Sequence, residues 1–244
     1  MRAVNDDRAP VGGRRTARFT RAGVEAGALA ILPLLPTLAV FGGGFGLLAA
    51  TTKLSLAESL LFSAWVYAGS AQMATLNAWA DPVPYAVVVV TTLGMNARYL
   101  LLSATLRPWL HGLPAHQVGW SLFLLGDSNW ALAMKERERG LDDAGYLFGS
   151  GVVMWIAWVI STGIGHAFGR VIASPERFGV DFILAAFFAA MAAAFIKRAG
   201  HLLPFGVAAL VAVVFDRVVP GPWSLAAGAL AGSAAAALKP VDAR

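Results

Sequence analysis

Long runs of apolar residues, separated by short polar links, make up most of the chain. A helix that crosses a bilayer needs about 20 such residues, and runs of this length favour helices over strands. The pattern predicts an all-α, polytopic integral membrane protein with about eight transmembrane segments, or seven if one of the shorter runs does not cross. The predicted segments are residues 26–50, 59–80, 83–106, 118–134, 146–172, 180–196, 202–219 and 222–238.

The links between the segments leave no room for a soluble domain. Asp81–Pro84 and Pro220–Pro222 have the composition of turns, and residues 135–145 form a charged loop. We therefore expect one transmembrane domain over residues 25–244, preceded by a basic, cytoplasmic N-terminal arm over residues 1–24.

Composition excludes several classes of protein. Of the 244 residues, 58% are hydrophobic and 14% are charged, whereas a soluble domain has about 25% charged residues. The chain has no cysteine, which excludes disulfides and thiolate catalysis. Its four histidines show no metal-ligand spacing, and the segments contain no nucleophile–base set. We therefore predict no metal site, no cofactor and no enzymatic activity.

Positive charge is concentrated at the N-terminus. The net charge is +5, and the first 24 residues hold six arginines against two aspartates. With eight crossings and a cytoplasmic N-terminus, thirteen Lys and Arg residues fall on the cytoplasmic side and five on the other side. This bias predicts that both termini are cytoplasmic. The basic residues then orient the protein in the lipid bilayer, and we expect no binding of nucleic acid.

Polar side chains occur deep within the second segment, where each is costly unless it faces another helix or a cavity. On a regular helix four of them share one face, namely Ser63, Tyr67, Ser70 and Asn77. Gln72 joins that face only if the helix is broken, and we expect a break around Gly69–Gln72. The alternative is that the stripe makes ordinary hydrogen bonds between helices. The candidate residues of a substrate or ion pathway here are Tyr67, Gly69, Ser70 and Gln72.

The third and fourth segments each contain a charged residue. Arg98 follows Asn96, and Asp127 lies between Gly126 and Asn129. Charges at membrane depth tend to pair, so we expect an Arg98–Asp127 ion pair, with local unwinding of the fourth segment at Gly126. The pair either holds two helices in register or gates a proton or substrate site. Asn96, Arg98, Asp127 and Asn129 are therefore further candidate pathway residues.

Glycines interrupt the first segment. Gly42, Gly43 and Gly44 predict a broken or closely packed membrane helix, because the Lys-Ser/Thr signature of a phosphate loop is missing. Broken helices expose backbone N–H and C=O groups that can hold the two charged groups of a zwitterion. Small residues also recur at every fourth position over Ser161–Gly169 and Ser224–Ala236. We expect these stripes to pack within the chain, and the alternative is a docking face for another subunit.

Several stretches of the chain resemble one known family. They are Tyr67–Met73 with its Gly-Ser-Ala-Gln block, Met95–Tyr99 with Leu106–Leu110, Gly126–Ser128, and Gly149–Gly151 with Trp155–Trp158 and Gly179–Phe182. In these stretches the chain resembles the AzlC-type large subunit of branched-chain amino acid exporters, and the resemblance covers about Phe19–Leu238.

The resemblance implies secondary export of hydrophobic amino acids, such as leucine, isoleucine, valine or methionine, across a bacterial inner membrane. It also implies a small partner, an AzlD-type membrane subunit. Two positions depart from the family pattern: Ser128 stands where the family has Glu, and Tyr99 where it has His. If either group carries the coupling proton in relatives, the coupling or the substrate differs in this chain.

Together, the residues and the resemblance give the hypothesis of alternating access driven by the proton-motive force. In this hypothesis Ser70 and Asn96 hydrogen-bond the substrate, and Asp127 carries the proton. Arg98 holds either the substrate carboxylate or the charge of Asp127. The alternatives are a non-transporting structural membrane subunit and a transporter of a different small amphipathic substrate.

Overall fold

The computed structural model describes residues 17–52, 54–77, 79, 82–171, 189, 193, 202–219 and 223–238. Over these residues the protein is α-helical, and an isolated bridge between Arg18 and Asp143 is the β contact found there. A short 3-10 turn over Leu32–Leu34 joins the first two helices. The helices are α1 (Arg21–Ile31), α2 (Leu35–Thr51), α3 (Leu56–Val66), α4 (Gly69–Asn77), α5 (Tyr85–Asn96), α6 (Arg98–Leu110), α7 (Ala115–Phe123), α8 (Asp127–Glu138), α9 (Gly145–Val171), α10 (Leu202–Val218) and α11 (Trp223–Ala237).

Seven of the eight predicted segments coincide with described helices, and each of the first four is divided into two. The sixth segment lies outside the described residues, apart from positions 189 and 193. Three described helical stretches are long and apolar enough to cross a membrane, namely Arg21–Thr51, Tyr85–Leu110 and Gly145–Val171. The all-α class follows for the described residues, whereas the total number of crossings stays a prediction.

The chain divides into two compact units. Unit 1 contains the described residues up to Pro33 together with Leu101–Met154, and unit 2 contains Leu34–Leu100 and the described residues from Trp155 onwards. The predicted single domain over residues 25–244 stays a prediction, as does the basic arm, because residues 1–16 lie outside the described part of the chain.

In unit 1, α1 lies against the first part of α9. The carboxylate of Asp143 accepts hydrogen bonds from the backbone N–H of Thr20 (3.1 Å) and of Gly145 (2.9 Å). One side chain therefore ties together the starts of both helices. A Cβ atom on Gly27 would lie 2.0 Å from the carbonyl oxygen of Tyr146, so this close approach of the two backbones requires glycine.

In unit 2, α2 lies against the second part of α9 with equally close backbones. A Cβ atom on Gly46 would lie 2.0 Å from the carbonyl oxygen of Thr162, and one on Gly165 would lie 1.9 Å from that of Gly43. The small-residue stripe of the fifth segment therefore packs against another helix of the same chain.

Gly42 and Gly43 of the first segment belong to this contact. The sequence predicts a broken or closely packed helix at Gly42, Gly43 and Gly44. The break is wrong, because α2 continues through all three, and the close packing is confirmed for Gly42 and Gly43. A Cβ atom on Gly42 would lie 3.0 Å from the Cβ atom of Ser161. Glycine in an apolar helix permits either a break in the helix or the close approach of a second helix. At this position α9 packs closely against an unbroken α2.

Helices α10 and α11 form an antiparallel pair in unit 2. A Cβ atom on Gly228 would lie 2.7 Å from the carbonyl oxygen of Ala208, and one on Gly232 would lie 3.0 Å from that of Pro204. The stripe of the eighth segment therefore also packs within the chain. Much of the outer surface of α10 is apolar and exposed, with Leu210 66% exposed, as suits contact with lipid.

Candidate functional site

The second predicted segment is broken near its middle. Helix α3 ends at Val66, α4 begins at Gly69, and Tyr67 has a φ of 41° and a ψ of 43°. Tyr67 is the one described non-glycine residue with positive φ, and a left-handed residue of this kind costs about 1–2 kcal/mol. We call Tyr67–Ala68 the open break. It lies just before the position around Gly69–Gln72 where the sequence predicted it.

The open break creates the free N-terminus of α4. The backbone N–H of Gln72 donates the first hydrogen bond of this helix, to the carbonyl of Ala68 (2.9 Å). The N–H groups of Gly69, Ser70 and Ala71 precede it and have no acceptor within the helix. Together with the helix dipole, they give this end of α4 a partial positive charge.

Two side-chain hydroxyls at the open break are buried without a partner. Tyr67 is 8% exposed and Ser70 is 2% exposed. Neither the phenolic oxygen of Tyr67 nor Oγ of Ser70 has a hydrogen-bond partner among the described residues. A buried hydroxyl without a partner costs free energy, so a bound molecule that pairs with these two groups gains affinity.

Gln72 lies in the same helix but is fully engaged with protein. The indole N–H of Trp158 donates to its Oε1 (3.0 Å), and its Nε2 donates to Oγ of Ser63 (3.2 Å). Oγ of Ser63 lies 2.7 Å from Oγ1 of Thr162, which in turn donates to the carbonyl of Trp158 (2.9 Å). We call these four residues the hydrogen-bond ring. Gln72 therefore occupies a different environment from Ser70, although both were predicted to line one pathway.

Two tryptophans of α9 pack on either side of the open break. The indole N–H of Trp155 donates to the carbonyl of Ala64 in the last turn of α3 (3.0 Å). The ring of Trp158 covers Gly69, where a Cβ atom would lie 2.6 Å from Cη2. Gly69 is therefore needed for the close packing of the indole on α4.

Asn96 ends α5, which packs against α4 as the second arm of a hairpin. The hydroxyls of Thr75 on α4 and Thr92 on α5 lie 3.1 Å apart. Asn96 is one turn beyond Thr92, so in this antiparallel arrangement it lies towards the N-terminus of α4. Its Oδ1 is buried and has no hydrogen-bond partner among the described residues.

Arg98 begins α6 directly after this point. The guanidinium carbon lies 5.1 Å from the ring centroid of Tyr99, and Nη2 lies 3.4 Å from the phenolic oxygen of the same residue. Arg98 thus lies in unit 2 with the open break. The ion pair with Asp127 stays a prediction.

The fourth segment is also broken, and this break lies in unit 1. Residues Leu124–Gly126 separate α7 from α8, and Gly126 has an extended backbone with φ −132°. Oδ1 of Asn129 accepts from the N–H of Gly126 (2.7 Å), and its Nδ2 donates to the carbonyl of Leu124 (2.9 Å). We call Leu124–Gly126 the closed break, because the fully buried side chain of Asn129 pairs backbone groups of its first and last residues.

Asp127 is the first residue of α8 and is half-buried. A carboxylate in the first turn of a helix is favoured by the helix dipole. Its role as proton carrier stays a prediction. Asn129, also predicted as a pathway residue, lies in α8 and uses its side chain to pair the backbone of the closed break.

His166 is a buried residue of α9. Its Nε2 lies 2.8 Å from the carbonyl oxygen of Leu54, so this nitrogen carries the proton and donates. The side chain thereby ties α9 to the link before α3. Within the described residues, no three His, Asp or Glu side chains are grouped as a metal site.

The structure therefore brings together Tyr67, Gly69, Ser70 and Gln72 at one place in unit 2. It adds Trp158 and Thr162, which sequence reasoning did not select as site residues. Their spacing of four residues within an apolar segment was a signal that both lie on one face of a helix. Nothing in the sequence connects them to a glutamine 86 residues away.

Long apolar helices, breaks at membrane depth and buried polar groups at one break define a polytopic α-helical membrane protein with a candidate small-molecule site. The model of the AzlC protein family matches residues 33–172, which is more than half of the chain. The chain belongs to the AzlC family. This membership indicates membrane transport of amino acids rather than enzymatic activity. No curated protein and no solved structure matches the chain significantly.

Proposed function

We propose that this protein is the large subunit of a secondary transporter that exports branched-chain and related hydrophobic amino acids. The open break is the substrate site. The observation that carries the proposal is the pair of buried, unpartnered hydroxyls of Tyr67 and Ser70 at the free N-terminus of α4. Family membership supports transport of amino acids in general, and the proposal adds the substrate class and the site.

The chemistry of the open break matches the two charged groups of an amino acid. The N–H groups that begin α4 and the hydroxyl of Ser70 are donors, and they suit the substrate carboxylate. Oδ1 of Asn96 is an acceptor and suits the substrate ammonium group. Discontinuous helices with such ends are a recurrent way of binding zwitterions at membrane depth.

The buried neighbours of these polar groups favour an apolar side chain on the substrate. Ala68, Ala71 and Met73 are each at most 2% exposed. A charged or strongly polar substrate side chain placed against them would lose its hydration without gaining partners. Leucine, isoleucine, valine and methionine avoid this loss.

The remaining parts of the proposal concern coupling, partner and orientation. We propose that the proton-motive force drives export, with Asp127 as proton carrier, and that a small AzlD-type membrane subunit completes the transporter. We place the protein in a bacterial inner membrane with both termini cytoplasmic, which the excess of Lys and Arg residues on one side supports.

The test is efflux of labelled leucine and methionine from preloaded cells. The chain is expressed alone and with its small partner, each with and without an uncoupler. Efflux that needs the partner and is lost on uncoupling is the expected result. Absence of efflux in every combination, with folded protein present in the membrane, would favour a structural subunit or another substrate.

Proton coupling is tested separately, in liposomes that contain the purified subunits. Asp127→Asn is expected to abolish transport driven by a pH gradient and to leave exchange of leucine across the membrane. Wild-type transport that is indifferent to the pH gradient would contradict proton coupling. Swapping the charges, with Arg98→Asp and Asp127→Arg together, should not restore transport, whereas a purely structural ion pair would tolerate the swap.

A further inference from the structure

The hydrogen-bond ring has a definite direction, which follows from counting hydrogens. An indole N–H only donates, so Trp158 fixes Oε1 of Gln72 towards itself and Nε2 towards Ser63. If Thr162 donates to the carbonyl of Trp158, its single hydrogen is used, and Ser63 must donate to Thr162. The hydrogen bonds then run from the indole of Trp158 through Gln72, Ser63 and Thr162 back to the carbonyl of Trp158.

The reverse assignment between the two hydroxyls is unfavourable. If Thr162 donated to Ser63, its bond to the carbonyl of Trp158 would be lost, and the hydrogen of Ser63 would have no acceptor among the described residues. Ser63, Gln72 and Thr162 are 0% exposed, so water does not replace a missing partner. Only the first assignment therefore gives each of the four hydrogen bonds in the ring both a donor and an acceptor.

The ring connects three helices around the open break. Ser63 lies on α3, Gln72 on α4, and Trp158 and Thr162 on α9. Along the chain, α3 and α4 are joined by Tyr67 and Ala68 alone. The side chain of Gln72 connects α4 directly to α3 across the open break, because Gln72 lies in α4 and bonds to Ser63 of α3.

We propose that Gln72 is a positioning residue, which through the ring holds the first turn of α4 in the orientation that binds the substrate, and that it does not itself contact the substrate. The claim that Gln72 orients the substrate site rests on the proposed function, because it takes the first turn of α4 to be that site. The claim that Gln72 holds α4 in place does not depend on what the protein transports.

The natural absence of cysteine allows a direct measurement of this holding. Ala68, in the open break, is 2% exposed, so Ala68→Cys places a thiol where a maleimide reacts only when the break opens. The labelling rate is measured in three backgrounds, which are Gln72 retained, Gln72→Met and Gln72→Glu. Methionine has a similar length and neither hydrogen bond. A neutral carboxylic acid accepts from Trp158 and donates to Ser63, whereas a carboxylate cannot donate.

Rates are expressed as ratios to the background with Gln72 at the same pH, from about pH 4.5 to about pH 9. The intrinsic pH dependence of the thiol reaction is common to the three backgrounds and cancels in this ratio. Glu58, Tyr67 and His166 are likewise the same in all three backgrounds. We expect Gln72→Met to react about tenfold faster throughout, and Gln72→Glu to rise from near the reference rate towards about tenfold faster as the pH rises. Equal rates in all three backgrounds would overturn the proposal, as would a ratio for Gln72→Glu that does not change with pH.

Thr162 supplies a second pair of variants, in case a change at Gln72 prevents folding. Thr162→Val keeps the shape and removes the hydroxyl, so it should raise the labelling rate of Ala68→Cys, whereas Thr162→Ser should leave it unchanged. Equal rates for the two would show that the hydroxyl of Thr162 does not help to hold α4, and would overturn the role proposed for the ring.

Leucine binding to the Gln72 variants, made without the added cysteine, tests whether Gln72 orients the substrate site. We expect Gln72→Met to raise the Kd about tenfold, with Gln72→Glu approaching the wild-type Kd at low pH only. A wild-type chain that binds no leucine would contradict the proposed function, while the labelling rates would still decide whether Gln72 holds α4. Faster labelling with an unchanged leucine Kd would overturn the positioning of the substrate site.

Discussion

The second segment is broken in unit 2 and the fourth is broken in unit 1, and the two breaks pair their polar groups in opposite ways. At the closed break of unit 1, the side chain of Asn129 bonds to the N–H of Gly126 and to the carbonyl of Leu124. At the open break of unit 2, the hydroxyls of Tyr67 and Ser70 have no partner among the described residues.

We interpret the difference as that between a structural break and a proposed binding site. A polar group that is buried without a partner destabilises the fold, so a protein that can pair its groups internally usually does so. Asn129 is a side chain of this kind at the closed break. At the open break the side chain of Gln72 bonds to Trp158 and Ser63 instead, and Oγ of Ser70 has no hydrogen-bond partner among the described residues. Our proposal that the open break binds a substrate rests on this difference.

The largest expected effect is on the stability of the closed break. Asn129→Leu removes the partners of two buried backbone groups, each of which costs about 1–3 kcal/mol when unpaired. We expect the thermal unfolding temperature in detergent to fall sharply, and the yield of monodisperse protein with it. Ser128→Ala, at the neighbouring position, is the control and should unfold near the wild-type temperature. Wild-type unfolding of Asn129→Leu would show that this side chain does not hold the closed break.

The glycine of each break lies under a side chain from α9, and the two side chains differ in freedom. A Cβ atom on Gly69 would lie 2.6 Å from the ring of Trp158, which the hydrogen bond to Gln72 holds in place. One on Gly126 would lie 2.5 Å from Cε of Met154, the end of a flexible chain. Overpacking a rigid contact costs about 1–3 kcal/mol.

We therefore expect Gly69→Ala to lower the unfolding temperature and abolish leucine efflux, and Gly126→Ala to retain most of both. Efflux and thermal unfolding measured on both variants check this difference. An equal loss of efflux and of thermal stability in the two variants would show that Trp158 is no more rigid a neighbour than Met154.

Removing a hydroxyl at the open break should weaken binding without destabilising the fold. In the Ser70→Ala variant a buried group without a partner is lost, so we expect an unfolding temperature no lower than that of the wild type and a leucine Kd about tenfold higher. Ser59→Ala is the matched control, because this buried serine of α3 bonds to the carbonyl of Ser55 (2.9 Å). It should leave the Kd unchanged. An unchanged Kd for Ser70→Ala, with leucine still bound, would place the substrate elsewhere.

The smallest expected effect concerns the end of α3. Trp155→Phe keeps an aromatic ring and removes the hydrogen bond to the carbonyl of Ala64. One hydrogen bond contributes about 1 kcal/mol, so we expect a modest fall in the unfolding temperature with leucine efflux retained. Ile156→Val, at the next position, is the control. A loss of efflux as complete as that of Gly69→Ala would mean that the end of α3 belongs to the substrate site.

Much of the fold and part of the site could be predicted from local sequence. The length of the apolar runs gave the helices, and the Gly-Ser-Ala-Gln block gave a break within two residues of its place, because glycine and polar residues in an apolar segment mark irregular backbone. The same reasoning was wrong for Gly42, Gly43 and Gly44. Ser161, the close neighbour of Gly42 and Gly43, is more than a hundred positions away along the chain, and its contact with α2 favours a continuous helix.

By itself, the sequence determined that this is an α-helical membrane protein of the AzlC type, and which polar residues lie within its apolar segments. The tertiary structure alone decided which of these residues are paired. Gln72 and Ser70 are two positions apart and were equivalent candidates, yet Trp158, 86 residues further on, engages one and leaves the other unpaired. A hydrogen bond requires two groups within about 3 Å of each other, and for side chains on different helices only the packing of those helices supplies that distance.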